Sequence, residues 1–190
     1  MKLLASSLIW LAASNVVQAF TWSVPPDIED GIYTIGFHED DTNMTIPLIH
    51  RRGDIEHHAE LEHQGVNTLA ARHLPLPISR KGCIKGFPKL DADDYYASKV
   101  ALNNWCSRGN TAFRAYATLA RKGTVLVWMC SFGWFGYESP CSTDELDAAE
   151  GVWNATCGHD TGAFVAMRKW AKTYGRSHKD LNKVECKNYW

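Results

Sequence analysis

Six cysteines are the residues of this chain with the most definite chemistry: Cys83, Cys106, Cys130, Cys141, Cys157 and Cys186. No Cys-x-x-Cys pair occurs, and no Cys/His spacing fits a zinc ligand set. An even number of thiols in an oxidising compartment pairs into disulfides, so three bridges are expected rather than a metal site or a thiol nucleophile. The histidines offer less. His57, His58 and His63 form a loose cluster, but His58 and His63 are five residues apart, which is wrong for one helical face,. The best acid–base candidate is His159-Asp160, with Arg168 and Arg176 downstream, a set that could resemble a small ribonuclease site,. A turn after a helix explains the same His-Asp pair without chemistry. There is no Gly-x-Ser-x-Gly elbow, no His-Glu-x-x-His and no glycine-rich phosphate loop, so no catalytic residue, metal site or cofactor is implied.

The start of the chain supplies the compartment. Met1-Lys2, the apolar run from Leu3 to Ala13 and the small-residue site Val17-Gln18-Ala19 have the three-part grammar of a secretory signal peptide, residues 1–19,. The run is too short to span a bilayer. A soluble, extracellular chain beginning near Phe20 is expected. Secretion gives meaning to two sequons, at Asn43 and Asn154,.

Composition bounds the function. The chain has 190 residues, 45% hydrophobic and 22% charged, with a formal net charge of −1. That is a globular chain without the basic footprint of a nucleic-acid binder. Its charge is uneven. Residues 20–82 carry ten acids against five bases and no cysteine, whereas all six cysteines fall in 83–190. This predicts an acidic N-terminal appendage or pro-segment, 20–82, followed by a cysteine-rich domain, 83–190. Arg51-Arg52-Gly53 reads either as a dibasic processing site or as a charged turn.

These groups must be positioned by elements. Gly31 to Phe37 reads as a strand, with Thr45 to Ile49 pairing as an edge strand because of Pro47,. Leu74 to Ser79 is extended. The acids at 91–94 start a helix with Ala97, Ala101 and Trp105 on one face, ending near Cys106. Phe113 to Thr118 alternates as a half-buried strand, and Thr124 to Cys130 is a continuous apolar strand. Ser142-Thr143-Asp144-Glu145 is a capping box for a helix carrying Leu146, Ala149 and Trp153. Gly162 to Trp170 reads as a last strand, with an irregular tail from Tyr174. The order predicts an α+β fold, an antiparallel sheet with two helices packed on one face, as a disulfide-stabilised sandwich. In that layout Cys83 approaches Cys157 and Cys130 approaches Cys141, leaving Cys106 for Cys186.

Asn104-Trp105-Cys106, Val127 to Gly133, Pro140-Cys141-Ser142, Cys157-Gly158 and Trp170 to Arg176 together resemble fungal small cysteine-rich secreted proteins, the class that supplies candidate plant-pathogen effectors. The layout is also similar to virally encoded fungal killer toxins. The resemblance covers about residues 80–186 and rests on structural motifs. It implies action outside the cell, as an effector or toxin-like protein that binds a host or competitor target, and it carries over no active site. The partner expected is an extracellular host protein, glycan or membrane target, and the chain is expected to be a monomer. A small secreted hydrolase is the competing reading. The aromatic loop Phe132, Trp134, Phe135 and Tyr137 is the candidate binding patch, unless those rings seal the core instead,.

Overall fold

The structure is a computed structural model that describes residues 20–37, 47–55, 75–108, 115–131, 141–181 and 183–186. The signal segment, the Asn43 sequon, the histidines at 57, 58 and 63, and the loop from Phe132 to Tyr137 lie outside these residues. Nine strands and two α-helices are described, in the order β1 (Phe20–Ser23), β2 (Gly31–Phe37), β3 (Pro47–Gly53), β4 (Arg80–Ile84), α1 (Ala92–Ser107), β5 (Ala115–Lys122), β6 (Val125–Ser131), α2 (Thr143–Cys157), β7 (Gly162–Met167), β8 (Lys172–His178) and β9 (Lys183–Cys186). Seven strands form one antiparallel sheet in the order β3-β2-β5-β6-β8-β7-β4, and β1 pairs with β9 in a separate ribbon. Both helices pack on one face of the sheet, α1 over β5 and β6 and α2 over β7 and β4. This is the expected α+β, disulfide-stabilised architecture.

Each helix begins where its sequence says it should. Asp91 caps α1, its carboxylate accepting from the amides of Asp93 and Asp94 at 3.0 Å, and satisfies donors that no earlier turn can reach,. Ser142 caps α2 through the Glu145 amide at 3.4 Å. Leu146, Ala149 and Trp153 form the buried face of α2, as their spacing requires,. On α1 the buried set is Ser98, Val100, Ala101, Leu102 and Cys106, while Ala97 and Trp105 pack at its margin.

The sheet is buried on both sides. Because side chains alternate along a strand, Val125, Val127 and Met129 of β6 point to the helices, and Leu126, Trp128 and Cys130 point away. The second face carries Tyr33, Ile35, Leu119 and Trp128, together with Val24, Val184 and Cys186 from the β1–β9 ribbon and its margin. A sheet covered on both faces reads as a continuous apolar run, which is why β6 shows no alternation,.

That parity decides the disulfides. The bridges are Cys83–Cys157, Cys106–Cys141 and Cys130–Cys186, with Cα–Cα distances of 5.5, 4.8 and 5.5 Å. All six cysteines pair, and Cys83–Cys157 joins β4 to the end of α2 as expected. The other two expected pairings are exchanged. Cys141 lies on the helix side, whereas Cys130 faces the ribbon, so Cys130 takes Cys186 of β9 and Cys141 takes Cys106 at the end of α1. The bridges close loops of 74, 35 and 56 residues in sequence separation. In the chain-entropy picture each constrains the unfolded chain by about 4 kcal/mol, less where loops overlap. Three disulfides suit a protein made in an oxidising compartment. Among the described residues no helix is long and apolar enough to cross a membrane.

Two expected boundaries are corrected. The first is the division at residue 82. β2 is an internal strand of the seven-stranded sheet, paired to β5 from Gly31↔Arg121 to Gly36↔Ala115, and Tyr33 and Ile35 share a core with Cys130 and Cys186. Asp30 accepts from the Gly123 amide at 2.8 Å in the β5–β6 turn. Cysteine distribution and charge mark no structural boundary here, because backbone pairing and apolar burial run across it. Arg51 and Arg52 belong to β3 rather than to a turn. The second correction is the tail. Lys172–His178 is β8, hydrogen-bonded between β6 and β7, and all seven of its residues are buried. The extended stretch expected at Leu74 to Ser79 precedes the strand, which begins at Arg80, and the Ser79 amide already donates to Ala166 at 2.9 Å. Pro75 and Pro77 have no amide hydrogen to give to a ladder.

At the centre of the second face, Gly175 of β8 lies opposite Trp128 of β6 and Phe164 of β7. A Cβ at Gly175 would stand 2.5 Å from Cε2 of the Trp128 indole, which is fully buried and cannot withdraw. Gly175→Ala is therefore expected to destabilise the protein by about 2–3 kcal/mol in urea unfolding. Gly151→Ala is the control: open space surrounds that α2 position, and it should stabilise by about 0.5–1 kcal/mol. Peptide mapping without reduction should recover the three bridges given above. Recovery of a Cys130–Cys141 peptide would show that the strand parity is wrong.

Candidate functional site

The titratable groups on the helix face of the sheet gather into three clusters, each built where one element meets another. At the end of α2, Arg176 of β8 is fully buried. Its Nε donates to the Thr161 carbonyl at 3.1 Å, Nη1 to Asn154 Oδ1 at 3.0 Å and Nη2 to the Gly158 carbonyl at 2.5 Å. The guanidinium also lies 4.9 Å from the centre of the Tyr95 ring and 5.5 Å from that of Trp153. Carbonyls at a helix C-terminus carry partial negative charge, so this cation takes the place that a lysine or arginine in the last turn of α2 would otherwise fill. Burial then strengthens its contact with the aromatic faces.

The second cluster lies between the helices. Tyr95 donates to Glu150 at 2.8 Å, Lys99 reaches both Glu150 and Asp147, the latter at 2.9 Å, and Asn103 donates to Asp147 at 3.2 Å. Burial, with the Glu150 charge beside it, pushes the Tyr95 hydroxyl far above its ordinary range, against the opposing pull of Arg176,. The third cluster is at the start of α2. Lys172 Nζ donates to both Glu145 oxygens, at 3.0 and 2.8 Å, and the Tyr174 hydroxyl donates to Glu145 Oε2 at 2.8 Å. The Ser142 amide donates to the Tyr174 oxygen at 3.4 Å. Half of the predicted capping box therefore forms: Ser142 caps, but Glu145 turns inward to β8 instead of back to Ser142. Burial first, then the Glu145 carboxylate, raises the Tyr174 hydroxyl well above its usual value.

His159 and Asp160 do not form an acid–base pair. Asp160 receives a hydrogen bond from Lys89, and its backbone carbonyl accepts from the Leu90 amide at 2.8 Å. That lysine bond holds the Asp160 carboxyl below the ordinary aspartate range. The imidazole of His159 is exposed, and the arginine nearest in the candidate set, Arg176, is taken up by α2. Arg168 is exposed at the far end of β7, where its amide donates to Ser79 Oγ at 3.0 Å. Of the four groups of the ribonuclease-like reading, Asp160 is thus bound to Lys89, Arg176 is bound to the carbonyls of Gly158 and Thr161 on either side of His159-Asp160, and Arg168 stands at the far end of β7. Asp93 and Asp94 sit in the first turn of α1; the Asp94 carboxylate accepts from the Thr124 amide at 2.8 Å and the Thr124 hydroxyl at 3.0 Å, and so holds the β5–β6 turn.

Asn154 of the second sequon lies in the last turn of α2 with its amide oxygen on Arg176. Arg51 is paired with Glu29 at 2.8 Å and with Asp54, and Arg52 Nε donates to Thr34 Oγ1 at 2.8 Å. Both guanidinium groups of the dibasic pair are thereby held on the folded sheet. No group of three or more His, Cys, Asp or Glu side chains suited to a metal occurs among the described residues. The residues that sequence reasoning missed are Glu145, Lys172 and Tyr174. Lys172 and Tyr174 carried one signal, an i, i+2 spacing that puts both on one face of a strand, but it required the tail to be a strand. No protein-family profile, curated protein sequence or solved structure matches this chain.

Arg176→Met keeps an unbranched apolar stem in place of the side chain and removes every donor. It leaves Asn154, Thr161 and Gly158 with buried acceptors unmet, and should cost about 3 kcal/mol or more in chemical unfolding. Two variants of the sequon separate its roles. Asn154→Ala should lose about 1–3 kcal/mol by freeing a buried donor of Arg176, whereas Thr156→Ala, at an exposed position, should stay within about 0.5 kcal/mol of the parent. Equal losses in the two would show that a glycan, not the Arg176 bond, is the stabilising feature.

Proposed function

We propose that this chain is a secreted protein that acts outside the cell by binding a host or competitor target, with no catalytic step of its own. The observation that carries the reading is the complete pairing of the six cysteines into three bridges. It agrees with the signal-peptide grammar of residues 1–19,. The use of the buried charged groups supports it as well. Arg176, Glu145, Lys172 and Glu150 each hold one element against another. The resemblance to fungal effector candidates and killer toxins suggests the plant cell surface as the first place to look. The aromatic residues Phe132, Trp134, Phe135 and Tyr137 remain the contact patch in this reading. The cysteines on either side of them, Cys130 and Cys141, are bonded to Cys186 and Cys106 rather than to each other.

Expression in leaf tissue, with and without residues 1–19, tests this directly. The secreted form should produce a tissue response and the form without the signal should not. His159→Ala should retain the response in full. Trp134→Ala should weaken it, with a loss of about 2 kcal/mol in binding once a target is isolated. In parallel, the purified protein is incubated with total RNA. RNA hydrolysis that disappears in His159→Ala would replace the binding reading with a secreted ribonuclease.

A further inference from the structure

Among the described residues the seven-stranded sheet ends in two strands, β3 and β4, and an end strand presents backbone N–H and C=O groups to whatever approaches,. The two ends are built differently. β3 opens with Pro47, its register to β2 shifts at Ile32/Tyr33, and Arg51 is neutralised by Glu29 and Asp54. Pro47 and the register shift discourage a further strand. β4 has neither; its guard is the positive charge of Arg80 and Lys81, which repels a like-charged strand and leaves an acidic one unopposed,. It contains no proline, runs in unbroken register with β7 from Arg80↔Ala166 to Ile84↔Gly162, and is fastened to α2 by Cys83–Cys157.

The surroundings of β4 are positively charged. Arg80, Lys81, Lys85, Arg168 and Lys169 are all exposed. The Arg168 amide on Ser79 Oγ places Arg168 and Lys169 at the start of the strand, and Lys85 follows its end. Lys81, Lys85 and Lys169 form no ion pair among the described residues. Of the three large apolar side chains that stand most exposed among the described residues, two flank this strand: Ile78 before it and Phe87 after it, each 39% exposed. A second copy of the chain is a poor occupant, because β4 against β4 or β4 against β3 brings arginine and lysine against arginine and lysine.

We propose that β4 is a docking edge on which an acidic, extended segment of a partner protein pairs as an eighth strand, its backbone on β4 and its carboxylates on the surrounding lysines and arginines. The inference rests on the binding reading above and gives it a surface and a partner class. Strand addition draws affinity from main-chain hydrogen bonds and specificity from alternate side chains. A disulfide-anchored edge loses little freedom when the new strand arrives, so less ordering opposes binding.

The test uses the full secreted chain and three probes: a soluble hexapeptide of alternating glutamate and valine, the same peptide N-methylated on alternate amides, and heparin. Backbone amide exchange and NMR shifts are read at Lys81–Ile84. The unmodified peptide should protect those amides of this stretch that point away from β7, and its affinity should fall about tenfold in the Lys81→Glu/Lys85→Glu variant, whose thermal unfolding should match the parent. N-methylation should abolish the protection in the parent protein, which needs no variant to fold. Equal binding of the methylated peptide, or protection by heparin alone, would overturn the proposal in favour of a simple polyanion surface. No protection by any probe would also overturn it. Those failures leave the leaf-tissue result standing, and RNA hydrolysis lost in His159→Ala would overturn the binding reading without altering the edge.

Discussion

Arg176 lies in a central strand with no access to solvent, and a guanidinium in that position is tolerable only where every donor finds an acceptor and the charge finds a counterpart,. The acceptors come from the last turn of α2 and the residues just after it, and the aromatic faces come from both helices. The position of α2 along the sheet is therefore tied to β8, and the end of α2 in turn carries Cys157 to Cys83 of β4. At the other end of the same strand, Lys172 and Tyr174 seize Glu145 in the first turn of α2. One strand thus grips one helix at both ends, with polar contacts that specify register in a way that apolar packing alone would not.

The remaining elements follow from this grip. With α2 set over β7 and β4, α1 occupies the space over β5 and β6, and Lys99 and Tyr95 bridge to Glu150. The opposite face of the sheet is closed by the β1–β9 ribbon, whose Cys186 is bonded to Cys130 of β6. The strands β2 and β3 complete the sheet without a disulfide of their own: no cysteine lies in them, so they are held by pairing and burial, and the three disulfides cross-link only the later part of the chain.

This division of labour bears on function. Among the described residues, Arg176, Lys172, Glu145 and Glu150 hold helices to the sheet or to each other, while Arg80, Lys81, Lys85, Arg168 and Lys169 stand exposed around β4 and Arg51 and Arg52 on β3 at the opposite end of the sheet. The three disulfides hold the helices, the sheet and the ribbon in fixed relation to one another, as suits a protein made in an oxidising compartment,.

Much of this was legible in the residues. Helix starts were set locally, by Asp91 and Ser142 accepting from amides two or three residues on, and the buried stripe of α2 followed from a spacing of three and four. Local hydrogen bonds and periodicity need no knowledge of distant partners, so the helices, most strands and the pairing of all six cysteines could be read in advance. Of the pairings only Cys83–Cys157 could be read as well; the other two could not, because Cys130 ends a run that is apolar on both faces and such a run conceals which way each residue points. β8 was hidden for a related reason. Lys172, Thr173, Arg176, Ser177 and His178 have the composition of a solvated tail, and only the tertiary structure, by bringing Glu145 and the end of α2 against Lys172, Tyr174 and Arg176, makes their burial favourable. The membership of β2 in the sheet was likewise decided at a distance, since an acidic segment without cysteines gives no sign that its backbone will pair with β5 some eighty residues away.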